Sequence, residues 1–184
     1  ALNAIVGASD LGLTIEGPVN ANSTFIASVR RSYLQFLFSL FNLPFLPTYN
    51  DFQFKYKYKF NNRDQLSVIG LGAIDNFALN LDAPAKAGTI EEREVSEYIL
   101  NVLPVNEQWN YAIGAKYEHF RENGFYTFVL SRNMLNNSTR KYADNEDQSD
   151  DNLTTDYLSR EIENKLRIEN YAVTPAGIKV NYGV

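Results

Sequence analysis

The ten residues 51–60, DFQFKYKYKF, limit what this chain can fold into more than any other stretch. Taken in twos, they place Phe52, Phe54, Tyr56, Tyr58 and Phe60 on one side and Asp51, Gln53, Lys55, Lys57 and Lys59 on the other. Extended chain sorts them this way, because successive side chains of a strand leave opposite faces. At helical spacing the same rings would scatter around the cylinder. The segment therefore predicts a strand with one wholly aromatic face. What that face touches, a protein core or lipid, decides the class of protein.

The same alternation recurs along the chain. A first hairpin is expected over 2–9 and 11–16, where Leu11, Leu13 and Ile15 oppose Gly12, Thr14 and Glu16. Residues 17–22 read as turn chemistry. Strand 24–31 follows, with Phe25, Ala27 and Val29 against Ser28 and Arg30, and Ile26 breaking the pattern on the polar side. Residues 33–45 are densely apolar without alternation and are closed by Pro44 and Pro47, which predicts a short helix or an irregular apolar loop. After the polar turn 61–64, strand 65–74 carries Gly70 and Gly72 and is nearly continuous in apolar residues, so its facing is ambiguous. A loop at 77–88 precedes a helix over 89–103, with Thr89 and Glu92 as a capping box and Val95, Tyr98, Ile99, Val102 and Leu103 as an apolar stripe.

Alternation resumes at 108–120, where Trp109, Tyr111, Ile113, Ala115 and Tyr117 share a face. The Asn-Gly step of turn 121–124 is a hairpin signal. Strand 125–132 follows, then a long acidic connection at 133–156. The last pair of strands spans 160–173 and 178–184, around a Thr174-Pro175-Ala176-Gly177 turn.

The connections alternate in length. Short ones fall at 17–23, 61–64, 121–124 and 174–177, and long ones at about 33–50, 77–107 and 133–159. In an up-and-down antiparallel sheet this gathers the tight turns at one end and the long loops at the other. Outer-membrane barrels have that asymmetry, whereas the Greek-key crossings of a soluble sandwich usually mix the lengths. The expected strands, 9–11 residues each, are long enough to cross a bilayer at a tilt. The expected fold is all-β: an antiparallel up-and-down meander of about eight strands, part of a larger outer-membrane β-barrel, with one or two short helices in the long loops. Residues 1–184 are then one barrel segment, and Phe52, Phe54, Tyr56, Tyr58 and Phe60 meet lipid while the lysines line a wet lumen.

Composition agrees with this and removes other classes. Hydrophobic residues make up 45% of the chain, yet the mean hydropathy is −0.31 and no run of about 20 apolar residues offers a membrane helix. Alternating strands average to such a modest value, and aromatic girdles would use the 12 Tyr and 12 Phe. A net charge of −5 argues against a nucleic-acid surface. The absence of cysteine removes disulfide scaffolds, thiolate zinc sites and cysteine nucleophiles. The chain opens at Ala1 with no basic and apolar leader, and the expectation is an excised segment.

Three stretches carry a resemblance: GLTIEGPV (12–19), STFIASVRRSYL (23–34) and LPTYNDF (46–52). They resemble early barrel strands of TonB-dependent outer-membrane receptors, of the Bacteroidetes type with a carboxypeptidase-regulatory-like N-terminal extension. The likeness is clearest over 11–77. It implies a 22-stranded barrel with an N-terminal plug and a TonB-contacting box, neither of which this chain shows. The implied partners are outer-membrane lipid, a transported siderophore, glycan or cobalamin, and TonB through the absent N-terminal part. The implied location is the outer membrane of a Gram-negative bacterium. The family's energy-coupling residues fall in the absent part, so none is assigned here.

No catalytic, cofactor-binding or metal residues are expected, and an enzyme has no constellation to support it. His119 is the single histidine and reads as a strand-end residue, which leaves no His-based triad or multi-His metal site. Asp144, Glu146, Asp147, Asp150 and Asp151 could ligate a hard cation but lack EF-hand spacing and read as a solvated loop. Arg30 and Arg31 could meet an anionic substrate or lipopolysaccharide and read by default as rim charges. Trp109, Tyr111 and Tyr117 suit an interfacial belt or cross-strand packing alike. The rival reading is a soluble or lipid-anchored β-domain that binds a small apolar or sugar ligand, with the aromatic face as its core. Cut from a parent barrel, the strands would leave open edges able to pair with another copy.

Overall fold

The computed structural model describes every residue except Glu146. Nine strands form a single antiparallel sheet in chain order, each hydrogen-bonded to the next. They are β1 (Leu2–Val6), β2 (Asp10–Asn20), β3 (Ser23–Ser32), β4 (Phe45–Lys59), β5 (Asp64–Leu79), β6 (Val105–Arg121), β7 (Gly124–Tyr142), β8 (Leu153–Val173) and β9 (Lys179–Gly183). Helix α1 (Leu34–Leu40) lies between β3 and β4, and α2 (Ile90–Val102) between β5 and β6. The all-β meander is the fold, with nine strands where about eight were expected.

The strands are longer than the alternation predicts. Those from β4 to β8 run 15, 16, 17, 19 and 21 residues, against an expected 9–11. The surplus lies at the long-loop end, in polar stretches such as Asn136–Asn137–Ser138–Thr139 that carry no apolar period and so read as loop. The three long connections shrink to 33–44, 80–104 and 143–152.

Two prolines sit inside strands at no cost to the ladder. Alternate backbone N–H groups of a strand point to the same edge. Glu16 N–H donates to Ala1 O, so the nitrogen of Pro18 points toward β1, beyond the end of that strand. Tyr49 N–H donates to Ser32 Oγ, so Pro47 likewise points past the end of β3. Both fall where no neighbour needs a donor. At the β6–β7 turn, Arg121 pairs with Gly124, which makes Glu122 and Asn123 the central residues. Neither has positive φ, so the Asn-Gly step is not the expected primed turn. Gly124 is required instead because a Cβ there would strike the Tyr171 carbonyl.

Register resolves the facing of β5. Gly70 lies opposite Phe54 and Gly72 opposite Phe52, and in each case the ring covers the glycine. Glycine is what lets those rings lie flat.

Packing is closed only at the long-loop end. Among the described residues the buried apolar side chains are Ala83, Leu100 and Tyr142, all in or beside the long connections. Three asparagines tie these connections together. Asn42 Nδ2 donates to Lys86 O, Asn80 Nδ2 to Leu43 O, and Asn145 Nδ2 to the Leu100 and Leu103 carbonyls. The capping box of α2 forms as expected, with Thr89 Oγ1 accepting from Glu92 N–H and Glu92 accepting in return. Its expected stripe does not turn inward. Tyr98 is 69% exposed, with Val95 and Val102 about half exposed, while Ile99 and Leu103 are half-buried and the buried residue is their neighbour Leu100. Among the described residues the one element laid on the sheet is α1, whose Phe38 ring meets Phe45 at the long-loop end of β4, 5.4 Å between centroids.

Candidate functional site

The candidate site is the sheet's aromatic face together with its two rims. Strand registers align side chains into rows that run across the sheet. One row is Ser23, Tyr58, Leu66, Tyr117, Phe128 and Ile168. The next is Gly17, Phe25, Tyr56, Val68, Ala115, Leu130 and Leu166. A third runs Ile15, Ala27, Phe54, Gly70, Ile113, Arg132, Asn164, and a fourth Leu13, Val29, Phe52, Gly72, Tyr111, Met134, Ile162. These four rows form an apolar band, with Ser23 at one corner and Arg132 and Asn164 near its middle as polar breaks.

Polar rows bound the band on both sides. Toward the short turns lie Asp64, His119, Tyr126 and Asn170, and toward the long loops a mixed row of Leu11, Arg31, Asn50, Ile74, Trp109, Asn136 and Arg160. Between these bounding rows are five steps of two residues, about 33 Å along the strands at ~3.3 Å per residue. A strand tilt of about 40° would reduce that to about 25 Å, the height of the apolar belt on a membrane barrel.

The band is open to its surroundings. Leu166 is 66% exposed and Phe54 37%, although large apolar side chains are usually buried. The whole chain exposes 12342 Å², against about 9,000 Å² for a compact folded monomer of its mass. The opposite face is mainly polar, with Ile26, Ile69 and Leu71 exposed among its charges, and is laced with ion pairs, among them Lys116–Glu118 at 2.9 Å and Lys165–Glu163 at 2.9 Å.

Arg30 belongs to that polar face. It donates to Asp51 at 2.8 Å, approaches Asp10 at 3.5 Å and stacks over the Tyr49 ring, so it is a paired charge rather than a free rim cation. Arg31 lies on the other face and donates to Asn50 Oδ1 at 3.2 Å. Trp109 and Tyr111 stack on the aromatic face near the long-loop boundary, while Tyr117 lies at the short-turn end.

His119 is more than a strand-end residue. Its Nδ1 lies 2.6 Å from Asp64 Oδ1, which also accepts from the Tyr117 hydroxyl at 2.6 Å, and its ring stacks on Tyr126. The Tyr117 hydroxyl, then His119 and Asn61, hold the Asp64 carboxyl down at about 2. Asp64 reads from the sequence as a turn residue. Only the β5–β6 register, which puts it opposite His119, brings the three together.

Of the acidic loop, Glu146 lies outside the described residues. Asp147 spends its carboxylate locally, accepting from Asn152 Nδ2 at 2.9 Å and Ser149 N–H at 3.2 Å. Among the described residues no three His, Cys, Asp or Glu side chains converge on a metal-sized position. No helix there is long and apolar enough to cross a membrane.

No known protein family, curated protein or solved structure matches the chain. The functional reading therefore rests on the geometry of the two faces and on the resemblance noted in the strands.

Proposed function

We propose that this sheet is a stretch of outer-membrane β-barrel wall, the barrel portion of a TonB-dependent receptor taking part in energised uptake of a nutrient. The observation that carries the reading is the apolar band: four rows deep, bounded by rows richer in polar groups, and left uncovered among the described residues. On this reading the band meets lipid and the ion-paired face lines an aqueous lumen. The turns 21–22, 60–63 and 122–123 face the periplasm. The cap formed by 33–44, 80–104 and 143–152 faces outward and selects the transported molecule, a siderophore, glycan or cobalamin. The protein performs no covalent chemistry. Coupling to TonB belongs to a plug and box outside this segment.

Depth in the bilayer tests the reading. Trp109 is the only tryptophan and lies in the boundary row. In phosphatidylcholine vesicles it should be quenched most by lipids brominated near the headgroup. Moving the reporter to mid-band, with W109F and F54W combined, should shift the strongest quenching to lipids brominated deep in the chain. Quenching that ignores bromine depth at both positions would remove the lipid contact. One row favours the rival, a soluble or lipid-anchored β-domain binding a small apolar or sugar ligand. Arg132 and Asn164 place polar groups in mid-band, as the face of a ligand pocket would. The same quenching series separates the two.

A further inference from the structure

At the short-turn end, three hairpin ends enclose an open groove of about 400 Å³ lined by Arg63, Arg121, Glu122, Asn123, Ala172 and Val173. Its frame is fixed by backbone bonds. Phe120 N–H donates to Arg63 O at 2.7 Å, and Val173 N–H donates to Asn123 O at 2.7 Å. The Arg121 guanidinium is held in place by neutral groups alone. It donates to the Tyr126 hydroxyl at 3.0 Å and to Asn170 Oδ1, and lies 3.9 Å from the centre of the Tyr126 ring. Among the described residues neither Arg63 nor Arg121 forms an ion pair; Arg31, Arg132 and Arg160 share this but lie out on the strands, whereas Arg63 and Arg121 line one groove. The carboxylate next to Arg63 in sequence, Asp64, is committed to Tyr117, His119 and Asn61.

We infer that this groove binds a phosphate-bearing anion between Arg63 and Arg121. A planar guanidinium fork matches phosphate oxygens in pairs, and one already immobilised by stacking loses little freedom on binding. Arg63, whose side chain makes no hydrogen bond or ion pair among the described residues, supplies the second guanidinium from the adjacent turn. Glu122 is the one carboxylate in the lining, and it weakens the site. The cavity stands whichever way the aromatic face is used, so the inference does not rest on the barrel reading.

Two sources carry this chemistry, a lipid headgroup and a free phosphate. The test follows the arginine Nε–H signals of the full chain by NMR. In one arm inorganic phosphate is added in neutral detergent, and in the other phosphatidylglycerol replaces phosphatidylcholine in nanodiscs. A response to phosphate assigns a soluble anion, and a response confined to phosphatidylglycerol assigns a headgroup; either supports the site. R63Q should weaken binding at least tenfold, about the worth of one charge-assisted hydrogen bond, and E122Q should tighten it. Silence in both arms, wild-type affinity in R63Q, or weaker binding in E122Q would each overturn the inference.

Discussion

Arg132 stands opposite Ile113 and Asn164 in the middle of the apolar band, with Nε donating to the Tyr111 hydroxyl at 3.1 Å and one terminal nitrogen to Asn164 at 3.4 Å. If that face meets hydrocarbon, an arginine near mid-depth costs roughly 2–4 kcal/mol, and the two bonds return only part of it. R132L should then stabilise the sheet in vesicles by about 2 kcal/mol, read as a higher urea midpoint. A lower midpoint would mean that the guanidinium supports the face rather than burdening it. At the short-turn rim Asp64 sets a second expectation. Its folded value of about 2 lies below the ordinary 3.8. The stability it contributes is therefore complete above pH 3.8 and lost as pH falls from there toward 2. D64N should flatten that part of an acid unfolding curve and leave the neutral region with a constant offset. A slope between those limits unchanged in D64N would show that the carboxyl has no linked role.

At the scale of elements, the facing of each strand was legible where side chains alternate. DFQFKYKYKF puts its rings on the face its period demands, and the same holds for β2, β6 and the core of β7. Strand ends were not legible, because backbone pairing continues through Asn136–Asn137–Ser138–Thr139 with no apolar period to mark it. The α2 cap was readable as a local pattern. Which side of the helix is buried depends on Asn145 bonding back to its last carbonyls from a connection more than forty residues away. The Asp64–Tyr117–His119 group was hidden for the same reason: it exists only in register. Gly70 and Gly72 illustrate the converse, since their ambiguity dissolves once Phe54 and Phe52 are seen to lie over them. G70V should push the Phe54 ring off the strand and cost about 1–3 kcal/mol. G12V, where a Cβ meets only ordinary contact with Ile5, should cost less. Equal losses in the two variants would mean that the ring–glycine contact contributes nothing of its own.

For the molecule as a whole, charge is divided as sharply as polarity. Residues 33–44, 80–104 and 143–152 contain ten Asp and Glu against Lys86 and Arg93, a net −8. The strands and short turns are left with +3 of the chain's −5. The total charge, read alone, hides this split. Among β2 to β8 strand length is graded as well, from 11 residues in β2 to 21 in β8, and by register about six of the extra residues lie at the long-loop end, beyond Arg160, which aligns with Leu11. Six residues of strand amount to about 20 Å. A wall built this way has a sloping rim, low beside β2 and β3 and high beside β7 and β8. The acidic 143–152 connection stands at its crest. A solute arriving from that end would find a broad approach on one flank and a negatively charged parapet on the other. Cationic solutes would be drawn toward the tall side, and anionic ones turned toward the low side.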